Sequence, residues 1–340
     1  MNNEPDLKTR KELVDIYNSK RFARLFKKIS DLSAIKSGLR ASQKKILPKF
    51  FYDYEGSKLF NKICGTKAYY QTREEIDILK NTASEIGELL GREQVILEPG
   101  AGNMMKVRIL LDAVMPTGYM GIDVSKQEVT LASKSLASAY PKVHVIGVIG
   151  DFNSLSPASL GELMPPHNSK TAFFPGSTIG NFEPKSAVDF LKKLGQTISH
   201  GSIALIGIDL KKETEILELA YNDPEGYTKD FNLNILKRIN RDYGGDFNLE
   251  FFSHHAFYNE TEDRIEMHLV SRSNQTVIVS GEEFIFRTDE TIHTENSYKY
   301  SKDSISVLAR KAGFSVDNLY TDDKEYFCLA AMRYNGWLEE

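Results

Sequence analysis

Between about residues 94 and 208 short β-rich apolar runs alternate with amphipathic stretches of helical period, and this alternation restricts the fold more than any other feature. The apolar runs fall at 94–97, 119–124, 143–149, 171–174 and 202–208; the helical patterns fall at 106–114, 126–139 and 184–197, the last opening with Pro184 in its first turn. Strand alternating with helix predicts an α/β fold whose mostly parallel sheet is covered on both faces, with ligands bound beyond the carboxyl ends of the strands. After residue 215 the pattern changes to two longer helical segments, the second closing at Gly244-Gly245, and then to strand-like runs at 251–258, 264–271, 276–279 and 284–287. This reads as an inserted α+β unit. A helical stretch at 304–313 and an apolar run at 327–333 return to the parallel sheet. The first 45 residues read as helix and linker, because Leu13, Ile16, Tyr17 and Phe22, Leu25, Phe26, Ile29 recur at spacings of three and four.

A chain of 340 residues, 41% hydrophobic, is long enough for two domains. Forty-three basic residues against 47 acidic ones, with no basic block longer than a pair on a binding face, argue against nucleic acid and anionic membranes as partners. Cys64 and Cys328 stand far apart and form no C-x-x-C pattern, so neither a disulfide framework nor a zinc knuckle is expected. The polar N-terminus lacks an apolar leader core, and no run approaches the roughly 18 apolar residues of a membrane span. A cytoplasmic monomer follows as the expectation. His254, His255, His268 and His293 fall in the inserted unit without H-x-x-x-H spacing, so no metal site is expected.

The strand-end loops carry the candidate chemistry. Glu98-Pro99-Gly100-Ala101-Gly102-Asn103 follows a buried run and precedes a helix, and its glycines let the backbone approach a ligand. Met105 stands where a dinucleotide fingerprint has its third glycine, which argues against a dehydrogenase. Glu98 suits a ligand bearing positive charge, such as the amine and sulfonium of S-adenosylmethionine. Asp123, at the end of the second run, is placed to accept both hydroxyls of a ribose; the alternative is a cap for the helix after Val124. Asp151-Phe152, at the end of the third, pairs an acceptor for an exocyclic amine with a ring for adenine.

With these residues in view, the chain resembles the histidine-specific Nα-methyltransferases of the ergothioneine type. The resemblance runs from about Leu47 to Arg333 and rests on Phe51-Tyr52-Asp53, Gly56-Ser57, Leu59-Phe60, Tyr69-Tyr70, Thr72-Arg73, Phe174-Pro175-Gly176-Ser177-Thr178-Ile179-Gly180-Asn181, Ala220-Tyr221, Phe231-Asn232, Arg264-Ile265-Glu266-Met267 and Glu290 through Ser297. It implies a class I methyltransferase, Rossmann-like, with an inserted α+β substrate-binding domain: 66–215 and 298–340 would bind the donor, 1–65 and 216–297 the substrate. By the same resemblance Gly100, Lys106, Asp123, Asp151 and Phe152 contact S-adenosyl-L-methionine. Asn181 and Tyr221, with Thr228, hold the head of the L-histidine substrate, Tyr52 and Tyr69 wall the amine, and Met267, Glu295 and Ser297 form the imidazole pocket. The chain departs from the family at Gln71, where proline is usual, at Lys67-Ala68, where Pro-Glu is usual, and at Met104-Met105 in the donor loop.

Residues two apart on a strand share a face, so Glu295 and Ser297 would present one acceptor and one hydroxyl to the two unlike nitrogens of an imidazole. Met267, between Ile265 and Leu269, reads from the pattern alone as core. Tyr52, Asn181 and Tyr221 are the expected catalytic groups, Tyr52 by helping the amine lose its proton and the other two by orientation. The resemblance implies repeated transfer to the trimethylated betaine. Two alternatives stay open: another amino acid or small amine as acceptor, and a non-catalytic protein that binds S-adenosylmethionine.

Overall fold

The computed structural model describes residues 14–18, 21–164 and 169–336. Its strands are β1 (Val14–Asn18), β2 (Lys44–Lys45), β3 (Val95–Pro99), β4 (Gly118–Asp123), β5 (His144–Ile149), β6 (Lys170–Phe174), β7 (Ile203–Asp209), β8 (Phe252–Asn259), β9 (Arg264–Ser271), β10 (Gln275–Val279), β11 (Glu282–Phe286), β12 (Thr291–Tyr298), β13 (Phe314–Thr321) and β14 (Phe327–Tyr334). Eight of them form one sheet in the order β1-β5-β4-β3-β6-β7-β14-β13. Its pairs are parallel except where β14 runs against both β7 and β13. This is the expected mostly parallel, Rossmann-like α/β sheet. Every residue of β3 and β7 is buried, because helices cover both faces and leave no polar side to alternate with. Along β3, Val95 and Leu97 enter one core and Ile96 the core on the opposite face.

The second sheet, β2-β12-β9-β8, is the inserted α+β unit, with the hairpin β10-β11 beside it. Its core joins Met267, Leu269 and Ile292 of the strands to Phe231, Ile235 and Ile239 of the helix Tyr227–Tyr243. Phe51 stacks on Phe231 at 4.5 Å between centroids, which docks the segment before the helix Tyr54–Cys64 onto this lobe.

The N-terminal expectation of helix and linker is corrected at Val14–Asn18, a strand pairing in parallel with β5. Its spacing misled because Ile16 and Tyr17 sit on a partly exposed edge strand, where burial does not impose a period-two pattern. Leu13 lies outside the described residues, as do the side chains of Phe22, Leu25 and Phe26; Ile29, on the helix Arg21–Arg40, is exposed. β13 was also absent from the sequence reading. Apart from Phe314 and Tyr320 its residues are all exposed or half-buried, so no apolar run marks it.

The two sheets meet end to end. Tyr300 N–H donates to the Asp209 carbonyl at 3.0 Å and Lys211 N–H to the Tyr300 carbonyl at 3.0 Å, so the exit of β12 is stitched to the exit of β7. Gly207 lies on β7 under this junction. A Cβ there would collide with Glu75 Oε1 and stand 3.1 Å from Gly176 N. Gly207→Ala should therefore lower stability by about 1–3 kcal/mol, the usual cost of overpacking, read as a shift of the urea midpoint at unchanged slope.

Candidate active site

Loops at the exits of β3, β4, β5 and β6 surround a cleft of about 1660 Å³, counting the part open to solvent. Gly100 and Gly102 turn the first loop with φ of +68° and +49°, in the left-handed region that glycine tolerates. A Cβ on Gly100 would meet nothing within 4 Å, so the turn presents bare backbone to the cleft. Met104, also left-handed, drops its side chain into the core over Gly121, while Met105 is exposed. The loop thus closes by burying Met104, while the position of the fingerprint's third glycine carries the exposed Met105.

Asp123 Oδ2 accepts from Gly102 N–H at 3.1 Å and Oδ1 from Ser125 N–H at 2.8 Å, tying the first two loops together. The cap of the following helix is Ser125, so Asp123 is not that cap. Burial raises its pKa, against the pull of these N–H groups. Glu98, beneath the loop, accepts from Tyr119 O–H at 2.5 Å, and burial pushes it up to about 8. A cation arriving in the cleft would favour its ionised form. Asp151 is exposed and caps a short turn through Asn153 N–H at 2.9 Å; Phe152 is buried, edge-on to Phe190 at 5.3 Å, and still lines the cleft. Lys106 lines the cleft too, ion-paired with the fully buried Glu75, whose carboxylate also accepts from Gly176 N–H at 2.9 Å.

A smaller chamber of about 500 Å³, again counting the part open to solvent, opens from the cleft toward the second sheet. Tyr52, Phe60, Tyr69, Gly176, Thr178 and Asn181 line both spaces and mark their junction. The chamber also gathers Tyr221 from the helix Thr214–Tyr221, Thr228 and Phe231 from the next helix, Met267 from β9, and Glu295 and Ser297 from β12. The rings of Tyr52, Phe60, Phe231, Tyr69 and Tyr221 form a chain of contacts with centroids 5.7 to 6.2 Å apart. A bulge between His293 and Glu295 lets the buried Thr294 bond Asn232 Oδ1 and leaves Glu295 opposite Met267. Bulges re-aim side chains in this way.

The polar groups of the chamber are connected. Asn181 Nδ2 donates to Glu295 Oε1 at 2.9 Å, and Tyr221 O–H to Ser297 Oγ at 2.7 Å. Burial raises Glu295 to about 7, an effect that Lys299 opposes. It also raises Tyr52 and Tyr69 well above the ordinary phenol value, with nearby Glu295 adding to both shifts. Thr228 Oγ1 is buried without a hydrogen-bond partner among the described residues, facing the chamber. The structure therefore brings Tyr52, Tyr69, Asn181, Tyr221, Thr228, Met267, Glu295 and Ser297 around one space, and Gly100, Lys106, Asp123, Asp151 and Phe152 around the adjoining one.

Sequence reasoning missed the charges below the chamber. Asp209, at the end of β7, is ion-paired with Lys299 at 2.7 Å and Lys212 at 2.6 Å, and accepts from Tyr70 O–H at 2.7 Å. Burial works against the Asp209 anion, but the two ammoniums hold its pKa below the ordinary value. Lys212 is only three residues from Asp209, but Tyr70 and Lys299 lie far from both in sequence, and no spacing rule connects them.

Among the described residues, Glu266, His268 and His293 bring three donor atoms within 4.8 Å of one another, on the second sheet. Glu266 already accepts from Arg264, Asn259 and His268. The two imidazoles stack at 4.7 Å and 10°, and the Nε2 of each is already hydrogen-bonded, His268 to Glu266 Oε2 at 3.0 Å and His293 to the Glu295 carbonyl at 3.1 Å.

Residues 31–334 match the family described as histidine-specific methyltransferase, SAM-dependent. The chain is 35% identical over 303 residues to the histidine N-alpha-methyltransferase of Mycolicibacterium smegmatis, covering 87% of this chain and 92% of the relative. The protein of that name from Mycobacterium tuberculosis is 34% identical, covering 86% and 92%. The L-tryptophan methyltransferase trpM of Psilocybe serbica is 27% identical, covering 84% and 87%.

Glu295 gives the site a signature in stability. Its folded pKa of about 7 lies above its ordinary 4.5, so its contribution is full below 4.5 and is lost as the pH rises toward 7. Glu295→Gln removes that term. Relative to the variant, the ligand-free wild type should lose up to about 2–3 kcal/mol between these limits, measured by urea unfolding of both proteins across the range.

Proposed function

The chain belongs to the family of histidine-specific, S-adenosylmethionine-dependent methyltransferases, and from that premise we propose that it methylates the α-amino nitrogen of L-histidine, continuing to the trimethylated betaine. The observation that carries the choice of acceptor is the pairing of a buried carboxylate, Glu295, with a buried hydroxyl, Ser297, on one face of β12 in a chamber walled by the rings of Tyr52, Phe60, Tyr69, Tyr221 and Phe231. An imidazole offers one N–H and one bare nitrogen and can satisfy both groups. An indole offers a single N–H and would leave one of them unpaired.

Residues 66–215 and 298–340 act as the donor-binding unit and 1–65 and 216–297 as the acceptor-binding unit, with Val14–Asn18 belonging to the sheet of the former. The donor supplies a methyl group on a sulfonium, which needs no metal and no proton for the leaving thioether. Glu98 and the turn at Gly100 offer negative charge and open backbone to its cationic end. Asp123 has acceptor capacity left for hydroxyls, Asp151 offers a carboxylate at the rim, and Phe152 an apolar wall. Lys106, already shared with Glu75, supplies the cation for a carboxylate.

The work of the protein is positioning, since aligning reacting atoms roughly 3–3.5 Å apart makes the reaction effectively unimolecular. Asn181 stands at the junction of the two cavities and, with the Thr228 hydroxyl, orients the amino-acid head, while Tyr221, its hydroxyl bonded to Ser297, positions the guest through its ring. The raised pKa keeps Tyr52 a phenol at neutral pH. Tyr52 takes part as a neutral phenol that hydrogen-bonds the amine, directly or through water, as the amine loses its proton. Aromatic walls at Tyr52, Phe60 and Tyr69 tolerate a growing ammonium by cation–π attraction of about 0.5–2 kcal/mol.

Both cysteines are unpaired thiols, and no helix among the described residues is long and apolar enough to cross a membrane. The unpaired thiols support the proposal of a reducing, cytoplasmic compartment.

Histidine, tryptophan and a panel of small amines, each incubated with the chain and S-adenosylmethionine, should show by mass spectrometry one to three added methyl groups on histidine at the highest rate. Faster turnover of an acceptor without an imidazole sinks the assignment. Glu295→Ala should weaken histidine binding by about 10- to 100-fold, the value of a hydrogen bond to a charged group, with S-adenosylhomocysteine affinity unchanged in calorimetric titration.

A further inference from the structure

Resting on the histidine reading of the chamber, a second layer of contacts specifies which form of the ring it takes. Gln71 bonds Asp209 Oδ2 through Nε2 at 3.2 Å. A carboxylate ionised by two lysines only accepts, so the amide must turn its NH₂ this way, and the same Nε2 lies 3.4 Å from Tyr221 Oη. Lys299 Nζ approaches that oxygen at 3.2 Å. With donors on both sides, Tyr221 has only its hydrogen to give, and it gives it to Ser297 Oγ at 2.7 Å.

Lys299 is fully buried and spends its three hydrogens on Asp209 Oδ2 and Ser297 Oγ, each at 2.7 Å, and on Tyr221. Burial alone would discharge it, but Asp209 and Tyr221 raise its pKa on balance, so it is a permanent donor. Ser297 Oγ therefore accepts twice. A hydroxyl accepts two hydrogen bonds and donates one. The remaining hydrogen of Ser297 meets no acceptor among the described residues, on a side chain that lines the chamber.

We propose that Lys299 is a positioning residue that holds the Ser297 hydroxyl as a donor into the chamber, so that the site takes a neutral imidazole with its bare nitrogen toward Ser297 and its N–H toward Glu295. A ring with C–H in place of the bare nitrogen strands a buried hydroxyl hydrogen. An imidazolium sets N–H against O–H. Gln71 completes the arrangement from a position where the family this chain resembles usually has proline, which has no side-chain donor.

The test is calorimetric titration, in the presence of S-adenosylhomocysteine, of histidine and of the two pyrrolylalanines that keep one ring N–H and replace the other nitrogen by C–H. Wild type should bind both pyrroles at least about tenfold more weakly than histidine, the effect of one buried unpaired group. In Lys299→Met the hydroxyl can turn, histidine binds more weakly, and the gap should narrow to within about threefold. In a Ser297→Ala background the lysine substitution should add little. Equal affinity of wild type for histidine and the pyrrole that keeps its N–H toward Glu295 overturns the proposal. So does a full gap retained by Lys299→Met, or losses that simply add in the double variant, as a general structural role would give. Should Lys299→Met fail to bind S-adenosylhomocysteine, Gln71→Met is read instead, since it frees the Tyr221 hydrogen to leave Ser297; an unchanged gap there also overturns it. Wild type that binds no histidine at all overturns the acceptor reading itself, and is told apart because no ratio can then be formed.

Discussion

The ion pair between Asp209 and Lys299 is the joint on which the rest of this structure depends. Both side chains are fully buried, one at the last residue of β7 in the large sheet and the other just beyond β12 in the small one. Two buried charges each forfeit several kcal/mol of hydration, which their mutual attraction repays only in good geometry with the remaining hydrogen bonds filled. Here they are filled, by Lys212 and Tyr70 on the acid and by Ser297 and Tyr221 on the base. Such a pair is a poor source of net stability and a strict requirement on position. It explains how two lobes with separate cores hold a shared site in one geometry.

The same joint reaches the donor side. Asp209 N–H donates to Ser177 Oγ at 2.8 Å, and Ser177, itself left-handed at φ 54°, begins the turn that carries Asn181 to the junction of the cavities. Just before it, Gly176 N–H is held by Glu75, whose carboxylate also pairs with Lys106 on the cleft wall. One short turn between β6 and the next helix is thus fixed from below by the backbone N–H of Asp209 and from the side by the buried Glu75 carboxylate. Unusual backbone at such a place persists because its surroundings over-determine it. Orientation of the reacting atoms, the main contribution a methyltransferase has to make, rests on that over-determination.

The sheet was legible in the sequence because burial on both faces writes strands as uninterrupted apolar runs, and the helices Lys106–Val114 and Lys126–Ala139 fall on their amphipathic patterns residue for residue. The strand-end loops were legible because glycine and carboxylate recur together at three successive strand exits, although singly, as at Asp151, they also serve turns. Met267 shows the limit. Its alternation with Ile265 and Leu269 correctly marks it as core, yet it also lines the chamber, and only likeness to a family pointed there. The joint itself was illegible. Asp209, Lys299, Lys212, Tyr70 and Gln71 look like ordinary polar residues at element ends, and their meeting is a product of topology that no local pattern records. β1 and β13 escaped because edge strands are only half-buried, which blurs the alternation that reveals a strand.

The link between Asn181 and Glu295 bears on how the chamber distinguishes its guest from similar amino acids. Asn181 Nδ2 donates to Glu295 Oε1, so the group poised for the amino-acid head and the group poised for the ring are joined directly. A guest that spans from head to ring must divide them or supply each with a replacement partner. A side chain without an N–H would leave the Glu295 carboxyl buried and uncompensated wherever it displaced Asn181, and burial already brings that carboxyl to the edge of neutrality. Unpaired buried groups discriminate more strongly than missing apolar contacts, because the penalty falls on the protein as well as on the ligand. Selectivity in this chamber is thus set less by the room it offers than by the hydrogen bonds that entry breaks.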